Sequence, residues 1–458
     1  MTLLAGILLA LVGAGLCLWS PVAALPLVLV ALLYLARRLH LDTKPLMLVA
    51  GPLQRSCFAY SGYAAAVSAT LLAGAGLRPG NRRLGWPGTL VLGLAAYTLL
   101  SVYLRAVVEQ GRLVANPLAS DGPTFYKYMA HALTLYAVLA LGLRSRHEAR
   151  HAVYGYLAAM VAVSLLALYQ WLHGDNDLLR RYWSGKAPLS LLQPVFGRST
   201  GVFYDSNHLG NFLAVGILLA LGQLLGRRGA LRRLAFAAAA ALGGAALFCS
   251  SSLSNWCGLA IGLLIFVSLR RGWPHLTAVV ALVLLACASF GVQEAVRPQL
   301  APPLVTKVES LMRLDLSPEG PLGIRTVLAG TALRLFASSP VVGVGYGAFQ
   351  ALVARDETVM RLTRNITYSH NSFLLVLVEL GVLGLLLLLA LLGTHLGVLS
   401  RLARSRDPEY RAMGASLVAA LCACLIFEAT YDSLLYDVPL WTVLGLGVGV
   451  WRLRGASA

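Results

Sequence analysis

Runs of about 20 predominantly apolar residues recur along the whole sequence, and no other feature narrows the possible folds as far. In hydrocarbon every peptide N–H and C=O must find a partner inside the protein, and a helix supplies those partners within itself. The runs are Leu3–Trp19, Val22–Leu35, Cys57–Leu77, Trp86–Leu104, Phe125–Leu143, Val153–Leu172, His208–Leu225, Leu234–Cys249, Leu253–Leu269 and Leu276–Phe290. After a long polar interval come Ser372–Leu399, Ala412–Ala429 and Pro439–Val450. They predict an all-α polytopic membrane protein with about 12 transmembrane helices, 12 or 13 depending on the N-terminal segment. Composition agrees, because only 12% of residues are charged where a soluble chain carries about a quarter.

The charge that remains is lopsided, with 37 Lys+Arg against 19 Asp+Glu. Basic residues gather in short loops between the apolar runs: Arg144–Arg150, Arg227–Arg233, Arg270–Arg271 and Arg401–Arg411. That is the positive-inside pattern, and no aromatic-interleaved basic patch argues for nucleic acid as a partner. Loops 226–233, 270–275 and 400–411 are therefore expected in the cytoplasm, and loops 173–207 and 291–370 on the outside. The seven cysteines lie in or beside apolar segments, without metal-ligand spacing, and predict no disulfide framework. The N-terminus lacks a charged leader and a cleavage site, so its first apolar run is expected to stay as an anchor. The expected organisation is one continuous membrane domain: N-terminal spans over 1–290, a large outer loop over 291–370 and C-terminal spans over 371–458. No repeat suggests two transporter halves.

The outer loop is the most informative segment. Val305–Leu314 and Ile324–Ala337 have helical apolar spacing and predict amphipathic helices on or near the bilayer. Pro340 opens a turn containing Gly343, Gly345 and Gly347, which implies close backbone approach or positive φ. The loop ends at Tyr368-Ser369-His370-Asn371, where the next span begins. An imidazole there can serve as a general base near neutral pH; the alternative is an interfacial group satisfying free helix amides. Arg198, Arg325 and Arg334 share its side of the membrane, and guanidinium forks match phosphate oxygens. Asp205, Asn207 and His208 open another span at the outer side, where they cap a helix or line a polar cavity. Glu428 and Asp432 lie near the outer end of a further span, with an outer-loop arginine as the expected partner.

Other patterns match by letter only. His147-Glu-Ala-Arg-His151 fits a zinc-protease motif but lies among arginines in a loop read as cytoplasmic. Gly197-Arg-Ser-Thr-Gly201 lacks the strand-to-helix elbow its motif needs. Asp175-Asn-Asp177 falls on the outer side, away from nucleotides. No Walker-type loop or cysteine-based metal site is present.

Three stretches, in this order, resemble the O-antigen ligase family, which includes repeat-unit polymerases and bacterial protein O-oligosaccharyltransferases. They are Arg198-Ser-Thr-Gly-Val-Phe-Tyr-Asp-Ser-Asn207-His-Leu-Gly210, Arg325 with Ala337-Ser-Ser-Pro-Val-Val-Gly-Val-Gly-Tyr-Gly-Ala-Phe349, and His370-Asn371 leading to Glu379-Leu-Gly381-Val-Leu-Gly384. The resemblance implies transfer of a glycan from undecaprenyl diphosphate to a hydroxyl at the outer face of the bacterial inner membrane. In the ligase branch lipid A–core is the acceptor. It implies catalytic roles for His370 and Arg325, and substrate binding by Arg198, Asn371, Asn207, Asp205, Arg334 and Tyr368, with no cofactor and no metal. The chain departs from the family at Ser254-Asn255-Trp256, where many relatives carry Ser-Arg-Gly; Arg198 is the residue available to supply that charge. The rivals are a polymerase, a protein glycosyltransferase and, from another class, a lipid-linked-glycan transporter.

Overall fold

The computed structural model describes residues 85–110, 131–173, 198–201, 203, 205–225, 229–270, 321–364 and 366–456. The apolar runs before residue 85 and at Leu276–Phe290, the helix expected at Val305–Leu314, and Asp175-Asn-Asp177 lie outside these. Every described element is helical: α1 Gly85–Gln110, α2 His131–Gly142, α3 Arg146–His173, α4 Ser206–Leu224, α5 Ala230–Ser250, α6 Leu253–Arg270, α7 Pro321–Ser338, α8 Ala348–Arg355, α9 Glu357–Leu362, α10 Ser372–Ala403, α11 Pro408–Glu428 and α12 Val438–Ala456. Among the described residues, seven helices are long and apolar enough to cross a membrane: α1, α3, α4, α5, α6, α10 and α11. The fold is that of an all-α polytopic membrane protein.

Lipid chains are as apolar as leucine, so helix association inside a bilayer rests on close packing. The sequence provides for it with small residues one turn apart. Gly258 and Gly262 of α6 face α11, where a Cβ would lie 2.9 Å from the Ala423 carbonyl and 3.0 Å from that of Ala419. α4 and α11 are each about four-fifths buried, and so form the centre of the bundle.

The arginine-rich ends are gathered at one end of the bundle. Arg146 pairs with Asp407 at 2.5 Å and Arg150 with both oxygens of Glu409. Arg270 donates to the Leu225 carbonyl, and Arg454 to that of Arg401. His147 and His151 sit at this same end, their rings 4.0 Å apart. The four basic loops read from the sequence thus share one side.

At the other end, α7, α8 and α9 form a cap with a small core of its own. Ile324, Leu328 and Ala332, one turn apart on α7, pack with Phe349, Val353, Val359 and Val378. The apolar face of α7, expected to lie on the bilayer, is buried against protein instead. A seam joins this cap to α10. Gly381 adopts φ +67°, which breaks the helix. The freed backbone groups pair with the glycine turn: Val344 and Gly345 N–H donate to the Val378 and Glu379 carbonyls at 2.9 and 3.0 Å, and Val382 N–H donates to Pro340 O at 2.9 Å. At Gly343 (φ +78°) a Cβ would lie 2.4 Å from the Glu379 carbonyl, and at Gly381 2.2 Å from that of Val341. Only glycine fits at either place. α1 braces the seam, since Tyr97 donates to Leu380 O and Ser101 accepts from Tyr346 N–H.

Candidate active site

The polar cluster lies at the end of the bundle opposite the paired arginines. It is assembled from the N-termini of α4, α6 and α10 and the connection between α11 and α12. Helix N-termini carry unsatisfied amides, and Asp205 caps α4 by accepting from Asn207 and His208 N–H. Its second oxygen accepts from His208 Nδ1 at 2.9 Å and from the Tyr431 hydroxyl. Burial would raise the Asp205 carboxyl, but His208, the Tyr431 hydroxyl and the amides outweigh it and hold the group well below the usual carboxylate range.

Arg198 is buried beside this carboxylate. Its guanidinium donates to Ser250 O at 2.9 Å and to Asn207 Oδ1 at 3.0 Å. Burial lowers its pKa, while Asp205 opposes the shift. Asn255, where relatives carry arginine, donates to Asn207 O at 2.7 Å and to Ser252 Oγ at 2.8 Å. Arg198 and Asn255 therefore converge on Asn207. The hydrogen bonds of Arg198 run to protein acceptors, so its contribution to an anion is a field rather than a fork.

His370 stands at φ +53°, in the left-handed region, a conformation that side-chain-bearing residues adopt at a cost. Asn371 follows as the N-cap of α10, accepting from Leu374 N–H at 3.0 Å. Ser369 is buried and its hydroxyl donates to Asn371 O at 3.1 Å. The His370 ring lies 6.4 Å from that of Tyr431. Burial pushes the imidazole down to about 4; the Arg325 charge acts in the same direction and Asp205 against it. The imidazole is therefore neutral at physiological pH, as a base must be.

Arg325 projects from the edge of the buried face of α7, close enough to His370 to act on its charge. Among the described residues it has no carboxylate within ion-pair distance. Its side chain is exposed, and so open to an arriving anion. Arg334 is nine residues further along α7, half a turn away at about 100° per residue, and donates to Thr331 at 2.9 Å. It does not share the Arg325 face. Tyr368 is half-buried on the irregular segment leading to His370.

Glu428 corrects one expectation. Its oxygens accept from the Ser372 and Ser433 hydroxyls and from Ser433 N–H, so hydroxyl and amide donors replace the anticipated arginine. The Ser372 hydroxyl also lies 2.9 Å from Tyr431 O and accepts from Leu434 N–H at 3.2 Å, which fixes the α11–α12 connection against the start of α10. Tyr431 and the ring contact of His208 with it, at 4.8 Å, were not among the site residues read from the sequence. His208 stood beside Asp205 in a recognised stretch, but nothing local pointed to Tyr431.

Fold and site together define a polytopic helical membrane protein with a polar cluster of arginine, carboxylate and hydroxyl groups, holding a neutral histidine, at one end. A family model described as O-antigen ligase matches residues 238–389, a third of the chain, from α5 through the seam to the middle of α10. That match supports the resemblance to the O-antigen ligase family read from the sequence. A comparison with curated proteins finds no match.

Proposed function

We propose that the protein transfers an O-antigen glycan from undecaprenyl diphosphate to lipid A–core at the periplasmic face of the inner membrane. What carries this reading is that the segment matched by the family model, 238–389, holds both Arg325 and His370, at the end of the bundle remote from the arginine-rich loops. The positive-inside rule makes that end periplasmic. A glycosyl diphosphate already holds a good leaving group once cations offset its charge. Arg325 takes the diphosphate directly, and buried Arg198 adds its field. Asn371 fixes the start of α10 as its N-cap, and Tyr368 and Asn207 are assigned to substrate contact.

The neutral imidazole of His370 accepts the proton of the acceptor hydroxyl. The new bond forms from that oxygen to the anomeric carbon while the bond from this carbon to the diphosphate oxygen breaks. The electron pair leaves with the phosphate, and the configuration inverts. The step needs no metal ion. A positioned base of this kind contributes about 10²–10⁴-fold.

His370→Asn tests the role, because asparagine tolerates the left-handed backbone. Turnover in reconstituted vesicles should fall by about that factor with the thermal midpoint almost unchanged, and near wild-type turnover would remove the histidine from the chemistry. The acceptor is read from lipopolysaccharide of a deletion strain. Free core with carrier-linked polymer fits a ligase; core capped with a single repeat would make the protein a polymerase.

A further inference from the structure

Two groups of opposite charge act on His370: Arg325 from α7, and Asp205 from the head of α4, which accepts from the hydroxyl of Tyr431, the residue whose ring lies 6.4 Å from the imidazole. Asp205 is itself faced by His208, Tyr431 and Arg198. Four donors converge on its two oxygens: the Asn207 and His208 amides, His208 Nδ1 and the Tyr431 hydroxyl. Capping α4 explains the two amides. It does not explain why a histidine from the first turn of α4 and a tyrosine 226 residues away close on the other oxygen. Such a lock fixes a negative charge in place.

We propose that Asp205, locked by His208 and Tyr431, is a positioning residue for the proton step, the counter-charge that keeps the His370 imidazole basic beside Arg325. The assignment rests on His370 being the base. A base next to an uncompensated guanidinium holds a proton poorly and slows the reaction it serves. A carboxylate held by Tyr431 offsets that loss without touching substrate and without competing with Arg325 for the diphosphate. The lock matters because a mobile carboxylate would pair with Arg325 and block the anion site. The proton itself still goes to His370, so the step requires no further reactant.

Asparagine and serine both cap helices about as well as aspartate, so Asp205→Asn and Asp205→Ser remove charge while keeping the cap. The assay uses the full-length protein in proteoliposomes, with a synthetic polyprenyl-diphosphate oligosaccharide and purified lipid A–core. Both variants should lower kcat about three- to tenfold and leave the donor KM within about twofold. Both should also shift the acid limb of the kcat profile to lower pH by about one unit, because the removed charge favoured the protonated imidazole. In the His370→Asn background the residual rate should no longer respond to Asp205→Asn. An unmoved acid limb in either folded variant, or an undiminished effect in the His370→Asn background, overturns the proposal. If His370→Asn itself turns over like the wild type, the base assignment fails first, which separates the two outcomes.

Discussion

At one end of the bundle Arg146 and Arg150 meet Asp407 and Glu409 across partly exposed surface; at the other, Arg198 and Glu428 are buried and Asp205 is part-buried beside Arg198, among hydroxyls, amides and a histidine. The first arrangement uses charge where water screens it, and such pairs add little stability. Its value lies in fixing orientation in the membrane. The second removes charge from water at a cost that only a dense hydrogen-bond network repays. The reward is a rigid field aimed at one place. Equal numbers of arginines would not make the two ends equivalent, because burial decides what a charge can do.

Substitutions should separate the ends cleanly. The largest effect is expected at the seam beneath the buried cluster. Gly381→Val forces a side chain into the Val341 carbonyl and should cost about 3 kcal/mol or more, seen as loss of monodisperse, heat-stable protein in detergent. Next comes Arg325→Gln, at an accessible position outside any ion pair among the described residues. Stability should stay within about 0.5 kcal/mol, while the donor KM rises about tenfold or more as a charge-assisted contact is lost; an unchanged KM would remove Arg325 from the diphosphate site.

A smaller effect is expected from pH. An imidazole at its ordinary value would be about nine-tenths protonated at pH 5.5, whereas His370, pushed down to about 4, stays neutral there. The sign is that lowering the pH removes activity only as it nears the depressed value, so kcat/KM should change less than about twofold between pH 8 and 5.5. The smallest effect belongs to the arginine-rich end. Glu409→Gln should alter stability by less than about 1 kcal/mol and leave transfer unchanged. A large loss of activity there would dissolve the contrast between the ends.

Much of this was legible from residues alone. Apolar runs of sufficient length located the helices, since that signal is local and each run must satisfy its own backbone. Clustered arginines marked one end because charge pattern does not depend on tertiary contacts. The order of the three stretches singled out His370 and Arg325 as candidates. What escaped depended on long-range pairing. Tyr431 joins Asp205 across 226 residues, and Glu428 finds serines at the head of a different helix. Neither association leaves a mark in its own neighbourhood. The amphipathic stripe of α7 was visible, but not whether lipid or protein would cover it. Arg334 was readable too, and the helical period places it on the face of α7 opposite Arg325.

The break in α10 has one more consequence. There the helix gives up bonds to itself and takes equivalent ones from the turn at 340–345, peptide group to peptide group. Peptide groups are the same whatever side chains flank them. Two glycines keep the join intact, and the surrounding positions are left free to diverge. Side chains around the join can therefore change without disturbing the register that holds loop and helix together.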